Sequence, residues 1–152
     1  MNSAATLSQA DRTFMVEAAQ GGRLEVQLGN DAQQHASAQD VKSFGQHMVR
    51  DHERINQELM QLAQRKGVDL PSTFPGKMRD TIQKLSALQG VAFDRAYMKD
   101  MVKDHEEDIA AFRKEAQDGQ DPDVKAFAER TLQTLEEHLE IARNANSAAQ
   151  KE

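Results

Sequence analysis

The side chains in this sequence best suited to chemistry are three histidines and one glutamate, spread along the chain at helical spacing. His52, His105 and His138 each fall on an apolar stripe, and Glu25 interrupts another stripe. Imidazole and carboxylate groups together suit divalent transition metals. Three histidines and one glutamate would fill a tetrahedral shell, which makes zinc the default ion and copper or iron the next candidates.

Five neighbouring side chains are candidates for supporting such a site. An acidic residue precedes each histidine and points roughly 100° away from it on the helix, where it could orient a neighbouring histidine. A methionine lies one turn before His52 and another one turn before His105. Thioether sulfurs there would admit copper, although core packing is the commoner role of methionine. The five supporting residues are Asp51, Asp104, Glu137, Met48 and Met101. His35 and His47 lack this context, and we expect both at the surface.

The four candidate ligands are predicted to lie at one height in a helical bundle. The rise of a helix is about 1.5 Å per residue. With turns near Ser37 and Gln120, the two groups of each hairpin then differ in height by about one turn or less. Burying such groups without partners costs on the order of several kcal/mol, so they must satisfy each other, hold water or bind an ion. The sequence therefore predicts a metal site in the core.

Two other functions stay open. The histidines could form a hydrogen-bonded polar layer in a metal-free stress or interaction protein, which would lose stability as they protonate near about pH 6. A redox enzyme with an open metal position is the weaker alternative.

Several enzyme classes lack their motifs. A ferritin-type di-iron centre needs Glu three positions before a histidine on two helices. The residues at those positions are Ala32, Phe44, Val49, Val102 and Leu135. Hydrolase and phosphate-binding motifs do not occur either. We therefore favour a non-enzymatic role.

The elements that must position these groups are four long amphipathic helices. Together they predict an all-α four-helix bundle, made of two helical hairpins and a connector with a short extra helix. Caps and breakers set the boundaries: Ser8 with Asp11, Ser37 with Asp40, Gly67, Gly90, Asp118 with Gly119, and Asp121 with Pro122. The connector, residues 68–89, could be a short end loop or a full-length crossover, with its short helix over 77–88. Gly21 and Gly22 weaken the first helix and favour a bend there.

The chain is predicted to form one domain over residues 8–143. Residues 1–7 are expected to be disordered, and the polar tail 144–152 is expected to fray. One internal echo is visible, since residues 48–53 match residues 101–106 with a single Arg-to-Lys change. That match suggests equivalent groups on the second and third long helices.

Composition and charge exclude several partners. Hydrophobic residues make up 38% of the chain, and the longest apolar runs are three or four residues. A membrane span needs roughly 18 in a row. The net charge is −6 without a basic cluster, which argues against nucleic acid. Cysteine is absent, so disulfide and thiolate chemistry are excluded. Pairing of two copies stays open.

The chain resembles a bacterial family of ferritin-like proteins, domain of unknown function 4142. The resemblance runs from about Asp11 to Ala142. It rests on residues 25–29, 48–52 and 93–97, together with His105 and His138-Leu139. It implies a ferritin-like four-helix fold and export to the periplasm or outer membrane, with the leader absent from this sequence. The family's own function is obscure, so the resemblance implies no activity.

Overall fold

The computed structural model describes residues 7–152, and the chain is helical throughout that range apart from its connections. Its helices there are α1 (Gln9–His35), α2 (Gln39–Lys66), α3 (Gly76–Ser86), α4 (Gly90–Asp118) and α5 (Pro122–Ala149). The prediction of an all-helical chain is therefore confirmed. The disorder expected for residues 1–7 falls outside the described residues, apart from Leu7, which packs against the core.

Two of the predicted helix starts and one predicted end have the expected cap. Ser8 Oγ accepts the backbone N–H of Asp11 at 3.0 Å and begins α1. Asp121 caps α5 by accepting two backbone N–H groups, and Pro122 takes the first helical position. Gly67 ends α2 in the left-handed conformation, with φ of 67°. A glycine suits this position because it adopts positive φ without steric cost.

The cap predicted for α2 from Ser37 and Asp40 is wrong. The residue that precedes the helix is Ala38, and no side chain in residues 7–152 caps that end from within the helix. Instead Asp94, from the first turns of α4, accepts the N–H groups of Ser37 and Ala38 at 3.0 and 2.9 Å. A buried carboxylate that is distant in sequence thus accepts hydrogen bonds at the start of α2, where a local cap was expected.

The other interhelical turn is held in the same way. Asp11, in the first turn of α1, accepts the N–H groups of Gln120 and Asp121, at 3.3 and 2.9 Å on Oδ2. Asp11 and Asp94 are both buried. Each long hairpin therefore has, near its start, an aspartate that accepts backbone N–H groups from the turn of the other hairpin.

The helices pack as two hairpins, α1 with α2 and α4 with α5, while α1 contacts α4 and α2 contacts α5. Lys66, at the end of α2, pairs with Asp121 and Asp123 at the α4–α5 turn. Gly90, at the start of α4, lies beside Ala36 at the α1–α2 turn. Residues 67–89 therefore cross the full length of the helices, which decides between the two predicted connector topologies. On the way, α3 packs against α1 and α4.

The two hairpins also resemble each other in sequence. Asp11-Arg12-Thr13-Phe14-Met15 of α1 matches Asp94-Arg95-Ala96-Tyr97-Met98 of α4. Asp40-Val41-Lys42-Ser43-Phe44 of α2 matches Asp123-Val124-Lys125-Ala126-Phe127 of α5. Both matches have one and the same offset along the chain, so α4–α5 repeats α1–α2. The echo noted above pairs α2 with α4 and is not part of this repeat.

The core has two apolar clusters, one towards each end of the helices. One contains Phe44, Phe93 and Tyr97, and the other contains Phe14 and Phe127. The histidines lie between them, at mid-helix. None of the helices in residues 7–152 is long and apolar enough to cross a membrane.

The C-terminal segment differs from the prediction of a frayed tail beginning at Asn144. Helix α5 continues to Ala149, and Ala145 and Ala149 are buried against the cluster that contains Phe93. Arg95 also donates a hydrogen bond to the carbonyl of Ala149 at 3.4 Å. The physical reason is a stripe of alanines at helical spacing, which the polar residues between them obscure in the sequence.

Candidate metal centre

Three histidines from three helices meet in the middle of the core. His52 of α2, His105 of α4 and His138 of α5 are 4%, 0% and 1% exposed. One nitrogen of each ring lies within 4.8 Å of one nitrogen of each other ring. The ring centroids are 5.3 to 6.2 Å apart. This grouping, the histidine cluster, contains three of the four predicted ligands.

Two of the rings are oriented by hydrogen bonds on their outer side. His105 Nδ1 lies 2.8 Å from the carbonyl oxygen of Met101, and His138 Nε2 lies 2.8 Å from Asp51 Oδ2. Since both oxygens are acceptors, each of these ring nitrogens carries the proton. The lone pairs are then left on His105 Nε2 and His138 Nδ1. Among the described residues, neither of these nitrogens nor either nitrogen of His52 has a hydrogen-bond partner.

Burial keeps the histidine cluster neutral. Loss of solvation lowers the pKa of His52 well below 6.5, and the neighbouring rings of His138 and His105 lower it further. Desolvation and the proximity of His138 lower the pKa of His105 to about 4. The pKa of His138 is also lowered, mainly by burial, against the opposing effect of Asp51. Neutral imidazole is the form that binds metal ions.

Glu25, the fourth predicted ligand, lies beside the cluster but outside it. Its Oε2 is 3.8 Å from His105 Nδ1, the nitrogen that already faces the carbonyl of Met101. Oε1 has no hydrogen-bond partner within residues 7–152. Burial raises the pKa of Glu25 well above 4.5, and the negative charges of Asp108 and Asp104 raise it further. Glu25 thus lies beside His105 and apart from the group of mutually close nitrogens, and its role as a fourth ligand stays a prediction.

The predicted supporting residues have different surroundings. Asp51 contacts a histidine of another helix, as the sequence suggested. Met48 and Met101 are fully buried in the apolar cluster with Phe44, and it is the carbonyl of Met101 that contacts His105. Glu137 is exposed, and Asp104 is half-buried.

The two histidines assigned to the surface are both half-buried. His35 Nδ1 lies 2.9 Å from the carbonyl oxygen of Leu88, at the α1–α2 end of the helices. The ring of His47 lies 6.4 Å from that of His138. Neither ring belongs to the group with mutually close nitrogens.

Sequence reasoning missed Asp108, which faces the same region as Glu25. Burial, followed by repulsion from Asp104 and Glu107, raises the pKa of Asp108 to about 7. The hairpin repeat carries the signal that would have found it, because Asp108 occupies in α4 the position that Glu25 occupies in α1. Two carboxylates that are equivalent in the repeat, one on α1 and one on α4, thus border the same cavity.

Comparison with known families decides the affiliation of the chain. The family model described as a domain of unknown function, DUF4142, matches residues 1–145. The chain belongs to the DUF4142 family. The resemblance seen in the sequence is thereby confirmed. No curated protein and no solved structure matches this DUF4142 chain.

Proposed function

We propose that this DUF4142 protein is a periplasmic metal-binding four-helix bundle with ferritin-like topology. One divalent transition-metal ion binds His52, His105 and His138. Zinc is the first candidate ion, with copper or iron next, and the role is to store, buffer or sense the metal. The full-length crossover and the hairpin pairing support the bundle topology. The periplasmic location rests on the family resemblance alone.

The observation that carries the proposal is the set of ring nitrogens left without partners. His105 and His138 donate their single N–H outward, so both present lone pairs to the cluster. His52 has one N–H and can satisfy only one of those lone pairs. His52 adds a lone pair of its own, so at least two buried acceptors need a partner from outside the three rings, such as water or an ion. Each one left unsatisfied costs roughly 1–3 kcal/mol. A metal ion accepts all three lone pairs at once.

The residues present fit an imidazole-bound metal. Zinc lies about 2.0–2.1 Å from a ligating nitrogen, so small ring movements within the cluster would bring three nitrogens onto one ion. The Met101 carbonyl and Asp51 hold the tautomers and raise the basicity of the ligating nitrogens. Three protein ligands leave a fourth position for water or an incoming ligand, which is typical of exchangeable and catalytic metal sites.

Elemental analysis tests the proposal. Protein purified without chelator and dialysed against zinc, copper and iron salts should carry about one ion per chain. The variant His52→Ala/His105→Ala should lose that ion, because two of three ligands are gone. His35→Ala is the matched control, since it removes a half-buried imidazole outside the histidine cluster. It should keep the full stoichiometry.

Absence of metal in every condition would overturn the proposal. The histidines would then act as a metal-free polar layer, the stress or interaction protein considered above. An equal loss of metal in His35→Ala would place the ion elsewhere on the chain. Peroxide turnover by the metal-loaded protein would favour the redox alternative instead of storage.

A further inference from the structure

An acidic cavity lies between α1 and α4, beneath α3. Its volume is about 150 Å³, room for several water molecules. Its wall includes Glu25, Asp104, Glu107 and Asp108. Among the described residues of that wall, Lys77 is the one basic group. Lys77 and Glu107 are exposed, so this acidic cavity has its mouth at the protein surface.

A second, narrower cavity adjoins the first and reaches the histidine cluster. Its volume is about 20 Å³, which matches roughly one water molecule. His52 contributes to its wall. Gly21 and Asp108 border both cavities. The two cavities therefore adjoin each other, and together they make up the passage between Lys77 at the surface and His52 in the core.

Two details indicate that the passage accommodates a cation. Glu25, which is part of the wall of the acidic cavity, is 2% exposed, and its Oε1 has no hydrogen-bond partner in residues 7–152. A buried carboxylate oxygen without a donor is costly unless a proton, water or cation satisfies it. At Gly21 an added Cβ would meet nothing described within 4 Å, so the α1 side of the passage is open.

We propose that divalent metal ions reach the histidine cluster through this passage, guided by the carboxylates of Asp104, Glu25 and Asp108. The inference rests on the proposed metal-binding function and names the route by which that site is filled. Clustered charges of one sign with low-dielectric walls raise the local concentration of oppositely charged ligands and their association rate. None of these carboxylates needs to coordinate the metal ion once it is bound to the histidines.

Stopped-flow mixing of Co²⁺ with the metal-free full chain measures entry directly, through the absorption of the bound ion. At about pH 8, above the pKa of about 7 of Asp108, Asp108→Asn removes a charge at nearly constant shape. Gly21→Leu fills the passage from its open side. Each should lower the association rate constant by about tenfold. The dissociation constant should change by less than about threefold, because a passage residue slows entry and exit alike. Raised salt should slow the wild-type chain more than Asp108→Asn.

Glu53→Gln is the control, since Glu53 is an exposed acid of α2 and borders neither cavity. It changes the net charge equally and should leave the rate unchanged. Unchanged rates in both passage variants, with intact affinity, would overturn the passage and leave the histidine site standing. A loss of affinity in Asp108→Asn as large as its loss of rate would make Asp108 a ligand and also overturn the passage. Failure of the wild-type chain to bind Co²⁺ would overturn the metal site and the passage together.

Discussion

His105 and His138 each direct one ring nitrogen outward, to the carbonyl of Met101 and to Asp51. A neutral imidazole has one donor and one acceptor, so the outer bond fixes which nitrogen keeps its lone pair. The inner nitrogens of the histidine cluster are consequently acceptors. Single hydrogen bonds outside the cluster thus decide that two of its inward-facing nitrogens present lone pairs.

Asp11 and Glu115 are a second pair of buried acids, at the α4–α5 turn. Despite burial, the side chain of Glu115 and the N–H groups of that turn hold the pKa of Asp11 below 3.8. Burial and contact with Asp11 raise the pKa of Glu115 to about 8. Near neutral pH, Glu115 therefore keeps a proton with which it can donate to Asp11.

Glu115→Gln should make the stability less dependent on pH. Between pH 4.5 and about pH 8 the folded chain holds a proton on Glu115 that the unfolded chain has released. The wild-type free energy of unfolding must then fall as pH rises through that window. Glutamine cannot lose a proton. From about pH 5 to pH 9 the wild type should lose on the order of 1–3 kcal/mol more than the variant, after allowance for solvent screening.

Urea unfolding at several pH values measures the difference. The carboxyl of Asp11 is ionised throughout this window, so its own titration does not interfere. Parallel curves for the two proteins would mean that Glu115 is ionised in the folded chain and would contradict the assignment.

At the scale of helices, the turns depend on aspartates from the opposite hairpin. Asp94 is fully buried and accepts the N–H groups of Ser37 and Ala38. Asp11 does the same for Gln120 and Asp121. Each contact orders the start of one helix and joins two hairpins. We therefore expect the hairpins to depend on one another for stability.

Asp94→Ala should lower the free energy of unfolding by about 2–4 kcal/mol, because two backbone N–H groups lose a charged acceptor. Asp40→Ala is the matched control in the first turn of α2. Asp40 is exposed and in residues 7–152 forms no capping bond, so only its favourable position near the helix N-terminus is lost, worth about 0.5 kcal/mol. Chemical denaturation of both variants gives the comparison. Equal losses would show that the cap is local, as the sequence pattern had suggested.

At the scale of the whole chain, the three clustered histidines depart from the hairpin repeat. In the repeat, the position equivalent to His52 is Leu135, that of His105 is Gly22 and that of His138 is Ile55. The carboxylates Glu25 and Asp108, by contrast, occupy equivalent positions. The two hairpins thus share their helical framework and one buried carboxylate each, but their histidines lie at different positions. The chain therefore has one histidine cluster instead of two equivalent ones.

Because the histidines come from α2, α4 and α5, metal binding should stabilise the whole chain. A ligand that binds only the folded state adds about 2.7 kcal/mol at a hundredfold excess over its dissociation constant. Thermal unfolding with and without Zn²⁺ should show the shift in the wild type and none in His52→Ala/His105→Ala. A shift of equal size in the double variant would assign the effect to other groups.

The sequence by itself determined the positions of the helices and singled out the three histidines that meet in the core. Stripes at helical spacing, together with Gly67, Asp121 and Pro122, give the helix positions because these signals act within a few residues. His52, His105 and His138 could be singled out because an imidazole on an apolar stripe is conspicuous. Matching heights then followed from the constant rise of a helix.

Only the tertiary structure decided which of these groups meet. Glu25 has the right height but lies on the Met101 side of His105, and rotation about a helix axis is set by packing against neighbours, which sequence spacing does not encode. Asp94 replaces the local cap of α2 because the crossover brings α4 to that turn. The buried alanines at the end of α5 likewise depend on the α4 surface that receives them. Contacts between distant segments decided each of these points.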